Sequence, residues 1–162
     1  MIKGKKRYIT SKKHFYFNIT LPTATEEDLR KTNEVKDNNF KNTKVLLVED
    51  NIINVMVAKQ ILTKEKMKVD IATNGKVAVE KVKQNTYDVI LMDINIPIMD
   101  GYKATKEIRK FNKEILVLAL SASVFMEIKD KISASGMNGF IFKPFNPDEL
   151  LKQIYIHTKK SN

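Results

Sequence analysis

Asp88-Val-Ile-Leu-Met-Asp93-Ile-Asn95-Ile-Pro97-Ile-Met-Asp100-Gly101 is a short apolar run that ends in a carboxylate and then turns sharply. Val89 to Met92 are continuously apolar and include β-branched residues, bounded by Asp88 and by a Pro and Asp-Gly turn, which is how a strand buried on both faces reads. Such a strand carries Asp93 to its carboxyl end. In open parallel sheets ligands bind in the crevice outside the carboxyl ends of the strands, so Asp93 is expected where chemistry happens. Whether it is more than an acid that ends a strand depends on the neighbouring segments.

Outward from this strand the pattern alternates from Lys44 onward. Val45 to Val48 reads as a buried strand ending in Glu49-Asp50, and Asn54 to Lys64 carries Val55, Val57, Ala58, Ile61 and Leu62 at helical spacing. Lys68 to Ala72 is a second strand, Asn74-Gly75 a turn and Val77 to Val82 a second helix. Tyr102 to Phe111 is a third helix, Leu116 to Leu120 a fourth strand ending at Ser121, and Phe125 to Ala134 a helix that Gly136 terminates. Gly139 to Phe142 is the fifth strand, ending at Lys143-Pro144, and Pro147 to Thr158 a last amphipathic helix with Pro147 suited to its first turn. Strand-helix repeats joined by short loops predict an α/β, doubly wound parallel sheet of five strands with helices on both faces. The strand ends then share one edge, with Glu49-Asp50, Asp93, Ser121 and Lys143 closing four otherwise apolar strands. A packed core has no need of that.

This arrangement resembles the receiver domain of two-component response regulators, over about residues 44–160. Val45-Leu-Leu-Val-Glu49-Asp50-Asn51 resembles the acidic pair motif of that family, and Leu91-Met-Asp93-Ile-Asn95-Ile-Pro97-Ile-Met-Asp100-Gly101 its phosphoacceptor loop. Leu118-Ala-Leu-Ser121-Ala122 resembles the hydroxyl motif, and Gly139-Phe140-Ile-Phe-Lys143-Pro144-Phe145 the lysine-proline motif with its switch aromatic. The resemblance implies a flavodoxin-like sheet of order 2-1-3-4-5. The wording of the motifs is most similar to the C-terminal receivers of hybrid sensor histidine kinases.

In that order strands one and three are neighbours about 4.8 Å apart, so Glu49, Asp50 and Asp93 crowd into one pocket and repel. Mg²⁺, a hard cation that takes oxygen ligands and keeps waters and phosphate oxygens, relieves this. Asp50 and Asp93 are expected as direct ligands and Glu49 through water, and the resemblance adds the backbone carbonyl of Asn95. Asp93 is then the nucleophile that forms an aspartyl-phosphate. Lys143 lies two strands away, about 9.6 Å by strand spacing, so an extended lysine and a phosphoryl group are expected to meet between them. Ser121, on the intervening strand, donates a hydrogen bond to the attached group. Pulling Ser121 inward vacates space for Phe140 to move from an outer to an inner rotamer, and the fourth helix, fifth strand and fifth helix of this segment become the altered surface. Phe140 lacks a hydroxyl, so this switch rests on packing. The same surface could pair two copies of the chain.

The first 43 residues differ in character. Phe15, Phe17, Ile19 and Leu21 alternate with Tyr16, Asn18 and Thr20 before Pro22, a strand whose apolar face nothing nearby in that stretch covers. It is expected to dock on the following domain, pair with another copy, or be a remnant. Ser11-Lys-Lys-His-Phe15-Tyr-Phe17-Asn-Ile19-Thr-Leu21-Pro22 resembles the final strand of the ATP-binding domain of sensor histidine kinases, although the usual glycines are missing and the boxes that hold ATP are absent from the chain. Residues 1–22 are thus an extension with one strand. Residues 23–43, polar and with the single aromatic Phe40, read as a linker.

At 162 residues the chain has room for one full domain and an appendage, and with no cysteine it offers no disulfide or thiolate site, which suits a reducing cytoplasm. No apolar run reaches the roughly 20 residues of a membrane span, so no membrane contact is expected of this segment, although a parent chain could be membrane-anchored. The net charge of +10 divides evenly at Lys44, and no nucleic-acid motif accompanies it, so no nucleic acid is expected as a partner. His14 and His157 lie in no histidine-kinase phosphorylation motif, and Met92, Met99, Met126 and Met137 read as core or loop filling. A metal-dependent phosphohydrolase would place a second acid two residues after its nucleophile, where this chain has Asn95, which cannot act as a general acid. The expectation is therefore a non-enzymatic phosphoacceptor, with self-phosphorylation and slow self-dephosphorylation only, served by a histidine kinase or histidine phosphotransfer protein. The alternative is a receiver-fold module that only mediates protein contacts. The last helix ends close to the end of the chain, so the reader of the phosphorylated state is expected on another protein or upstream in a parent chain.

Overall fold

The computed structural model describes residues 3–4, 8–10, 13–15, 19–20, 40–122 and 126–159. The chain divides into two units, Met1–Asp37 and Asn38–Asn162. In the first, β1 (Lys3–Gly4) pairs antiparallel with β4 (Ile19–Thr20), and β2 (Tyr8–Thr10) with β3 (Lys13–Phe15). Both pairs keep the same register, Lys3 opposite Thr20 and Tyr8 opposite Phe15. The strand expected in this extension therefore has a partner within the extension, supplied by the basic start of the chain. That partner shows no apolar alternation, but a ladder is made of backbone hydrogen bonds, and Tyr8-Ile9-Thr10 is a β-prone triplet. Phe17, Leu21, Pro22 and residues 23–39, assigned to strand and linker by sequence, lie outside the described residues.

The second unit is built on β5 (Lys44–Val48), β6 (Lys68–Ala72), β7 (Val89–Asp93), β8 (Leu116–Ser121) and β9 (Gly139–Phe142). They form one parallel sheet in the order β6-β5-β7-β8-β9, the predicted 2-1-3-4-5. Helices α1 (Ile52–Lys64), α2 (Gly75–Gln84), α3 (Gly101–Arg109), α4 (Met126–Ala134) and α5 (Pro147–Lys159) follow the strands in turn. Side chains alternate along a strand, so each strand feeds two cores. Leu46, Val48, Ile90, Met92, Val117 and Ala119 face α2, α3 and α4, whereas Val45, Leu47, Val89, Leu91, Leu118 and Leu120 face α1 and α5. Every residue of β7 and β8 is buried, which explains why neither strand shows polar alternation in sequence.

Phe40 belongs to this second unit. It is 6% exposed, packs with Leu62 and Ile154, and meets the Tyr155 ring edge-on at a centroid distance of 6.4 Å. The folded unit therefore reaches upstream of the boundary at residue 44 expected from sequence. A lone aromatic in a polar stretch carries no periodicity, and its burial depends on the gap between α1 and α5.

Caps move the helix starts upstream of the apolar spacing. Asn51 Oδ1 accepts the amides of Ile53 and Asn54, Asn74 Oδ1 that of Val77, and Asp100 Oδ1 that of Lys103. The Asp-Gly turn after β7 has a steric reason. A Cβ on Gly101 would run into the carbonyl oxygen of Asp93, so only glycine lets α3 start this close to the strand end.

Candidate functional site

Val48 pairs with Met92 across β5 and β7, so the residues just beyond them, Glu49 and Asp93, emerge side by side at the carboxyl edge. Glu49 is 1% exposed and Asp93 3%, whereas the next residue, Asp50, is exposed. One carboxylate oxygen from each of the three lies within 4.8 Å of the others. Asp93 faces Leu120 on β8, and Ser121, at 1% exposure, closes that strand beside it. Ser121 pairs with Phe142, and the backbone amide of Lys143 donates to the Ser121 carbonyl at 2.8 Å, which sets Lys143 one residue beyond the end of β9.

From there the Lys143 side chain crosses the whole gap. Its Nζ donates to Asp93 Oδ2 at 2.6 Å and to Glu49 Oε2 at 2.9 Å. The expectation that lysine and carboxylate need a phosphoryl group between them is corrected here, because the extended lysine stem spans β8 unaided. Asp93 Oδ1 accepts the backbone amide of Asn95 at 3.0 Å. Phe140 is half-buried, with its ring 5.0 Å from that of Phe142 and the Lys129 ammonium 5.5 Å from its centroid.

Burial pushes the Asp93 carboxyl above its ordinary value, and the Lys143 hydrogen bond and Asn95 amide offset this only in part. Burial pulls the Lys143 ammonium down, but its hydrogen bonds to Asp93 and Glu49 outweigh this and hold it above its ordinary value. The pocket thus keeps a basic carboxylate next to a firmly charged cation. Its donor set is all oxygen, two carboxylates buried and one open to solvent, which fits a small hard cation that retains water.

Two features went unread in the sequence. Asn54, half-buried, donates through Nδ2 to Glu49 Oε1 at 3.2 Å, and the amide of Asn51 donates to the same oxygen at 3.2 Å. The signal was an asparagine in a helix whose neighbours are apolar. Ile52, Ile53 and Met56 at the start of α1, and Ile98 in the loop after β7, are large apolar side chains left exposed at this edge of the sheet. Ile98 is 80% exposed and sits at φ 69°, with Met99 N donating to Pro97 O at 2.7 Å, a tight turn that a β-branched residue adopts only under strain.

Residues 45–155 match the family model described as response regulator receiver domain. The chain belongs to this family. The receiver domain of a sensor histidine kinase from Pseudomonas aeruginosa PAO1, solved with a magnesium ion coordinated in its active site cleft, is 32% identical, with a TM-score of 0.69 over 73% of this chain and 98% of that one. The receiver domain of the response regulator Ssk1 of Saccharomyces cerevisiae, solved with the histidine phosphotransfer signalling protein Ypd1, gives a structure 35% identical, with a TM-score of 0.67 over 71% of this chain and 88% of that one. Histidine kinase 5 of Arabidopsis thaliana is 32% identical over 169 aligned residues, covering 86% of this chain but 18% of the kinase. This chain thus spans less than a fifth of that relative's length. Among its described residues no helix is long and apolar enough to cross a membrane.

Proposed function

We propose that this receiver accepts a phosphoryl group on Asp93 from a phosphohistidine and relays it as a change of surface. The observation that carries the reading is the buried Asp93 carboxylate bonded to Lys143 Nζ at 2.6 Å, with Glu49 and Asp50 beside it. Asp93 attacks phosphorus, an O–P bond forms as the N–P bond of the phosphohistidine breaks, and the histidine leaves with the electron pair. Lys143 stays charged throughout and turns from the carboxylate to the arriving phosphoryl oxygens. Ser121 donates its hydroxyl to one of them. Asp50, Asp93 and the backbone carbonyl of Asn95 would hold Mg²⁺, with Glu49 acting through water. When bound, that ion offsets the charge of the three carboxylates and of the phosphoryl oxygens.

Adding roughly −1.5 to −2 of charge at Asp93 draws Ser121 inward, and Phe140 follows into the vacated space. Leaving its outer position separates Phe140 from Phe142 and Lys129, so the changed surface is α4, β9 and α5, through which two copies could also pair. The receiver performs no substrate turnover, and only slow loss of its own phosphoryl group is expected.

The donor is a histidine kinase or a histidine phosphotransfer protein. Asp93 is buried, so a donor protein must cover the pocket mouth, and the exposed Ile52, Ile53, Met56 and Ile98 give it an apolar surface to cover. The segment is read as a cytoplasmic part of a hybrid sensor kinase, whose parent chain could be membrane-anchored. The match to Histidine kinase 5 covers 86% of the chain, more than residues 38–162 provide, and so takes in part of the N-terminal unit. The paired strands there fit a remnant of a kinase ATP-binding domain, and the span after them, up to Asp37, a linker.

Incubation with a histidine phosphotransfer protein carrying labelled phosphohistidine tests the reading. Label is expected on the wild-type receiver and not on Asp93→Asn. Equal label on both would reject Asp93 as the acceptor.

A further inference from the structure

Glu49 uses both of its oxygens. Oε2 takes the Lys143 ammonium at 2.9 Å, and Oε1 takes two donors, the Asn51 amide and the Asn54 side chain, each at 3.2 Å. Asn51 is in turn the N-cap of α1 and accepts the amides of Ile53 and Asn54. The first turn of α1 and the buried carboxylate are therefore one hydrogen-bonded unit.

Asn54 is the third residue of that helix, the position from which a side chain reaches back toward the cap. The usual arrangement is inverted here, because the amide of the cap residue goes to Glu49 and the side chain of Asn54 follows it to the same oxygen. The surroundings are inverted as well. Ile52, Ile53 and Met56 point outward and are exposed, while the polar Asn54 is half-buried against the pocket. A first turn built for the core would do the opposite.

Glutamate carries one more rotatable bond than aspartate, and its terminal torsion is broad and roughly two-fold. With only the Asn51 amide on Oε1, the carboxylate could swing either oxygen toward Lys143 and Asp93. Two donors on one oxygen fix which oxygen faces the pocket and draw negative charge away from it. Groups that orient the residues around a metal in this way set its affinity nearly as strongly as the ligands do.

We infer that Asn54 is a positioning residue of the acidic pocket, which pins Glu49 Oε1 to the start of α1 so that Oε2 alone faces Lys143 and the metal position, and thereby sets the affinity for Mg²⁺. This rests on the pocket being the Mg²⁺ site proposed above. The test is calorimetric titration of Mg²⁺ into the whole chain, without phosphodonor, for wild type, Asn54→Leu, Asn54→Ala and Asn54→Gln, each with a thermal melt. Leucine keeps the shape of asparagine without its donors, and alanine covers the case in which leucine does not fold. Leu and Ala variants that melt like wild type are expected to bind Mg²⁺ about tenfold more weakly, with Gln, which keeps the amide, recovering most of the loss. Leu and Ala variants within about twofold of wild type would overturn the role of Asn54 while leaving the metal site standing. A wild-type chain that takes up no Mg²⁺ would instead overturn the site itself.

Discussion

Two Lys–Asp contacts on the same sheet have opposite characters. Toward the amino ends of the strands, Lys81 lies 3.7 Å from Asp70, both side chains substantially exposed, beside an open cleft of about 740 Å³ that Lys44, Lys68, Lys83 and Tyr87 help to line. At the carboxyl edge Lys143 lies 2.6 Å from Asp93, and both are largely buried. Exposed pairs contribute about 0–1 kcal/mol because water and salt screen them. Removing one partner of a buried pair typically costs about 3–5 kcal/mol, because the other charge is left uncompensated. Residue type does not separate a surface contact from a reactive site here. Burial does, together with a third and a fourth charge in the same space.

The largest expected effect is that of Lys143→Met, which leaves Glu49 and Asp93 buried without a cation. In metal-free buffer it should lower unfolding free energy by about 3 kcal/mol in urea denaturation, and Mg²⁺ should return part of that. A loss under about 1 kcal/mol would erase the contrast between the two ends. The sign with pH follows from the raised value of Lys143. Its stabilising charge is fully present below the ordinary lysine value and is lost as pH rises through the higher folded value, so on the alkaline side the gap between wild type and Lys143→Met should close in that window.

Asp93→Asn should act in the opposite direction. The carboxyl is held above its ordinary value chiefly by burial, so the folded state disfavours its charged form, and because Lys143 keeps Glu49 as a partner at 2.9 Å an uncharged isostere should raise the melting midpoint by a few degrees at neutral pH. The gain should vanish below the ordinary carboxylate range, where wild-type Asp93 is protonated both folded and unfolded. A lower midpoint at neutral pH would mean that the Lys143 contact outweighs burial.

At the other end the effects are smaller. Tyr87→Phe removes a hydrogen bond of 2.7 Å to Asp70 and should cost about 1 kcal/mol, also by urea denaturation. Lys81→Ala should stay within about 0.5 kcal/mol. If Lys81→Ala matched Lys143→Met, burial would not be what distinguishes the two pairs.

The sheet and the gathering of Glu49, Asp50, Asp93, Ser121 and Lys143 were legible in sequence because each follows from a strand end. A run such as Val89 to Met92 announces a strand buried on both faces, and parallel strands bring their ends to one edge whatever the loops do. What was not legible depends on three-dimensional fit. Phe40 is buried because α1 and α5 leave room for it, the pairing of the N-terminal strand uses a backbone ladder without apolar alternation, and Asn54 reaches Glu49 only because the cap at Asn51 turns the chain. The direct reach of Lys143 was missed for a related reason, since strand spacing gives the distance between backbones and not the path of a long side chain.

Asp93 is proposed as a phosphoacceptor because of the company it keeps at the buried edge. Intact-mass measurement after incubation with acetyl phosphate and Mg²⁺ tests it most directly, with Asp93→Asn and a chelator as controls. One phosphoryl group on the wild-type chain, dependent on Mg²⁺ and absent from Asp93→Asn, is the predicted result. A folded wild-type chain that gains no mass from acetyl phosphate or from a phosphohistidine donor, or an Asp93→Asn chain that gains as much as wild type, would contradict it.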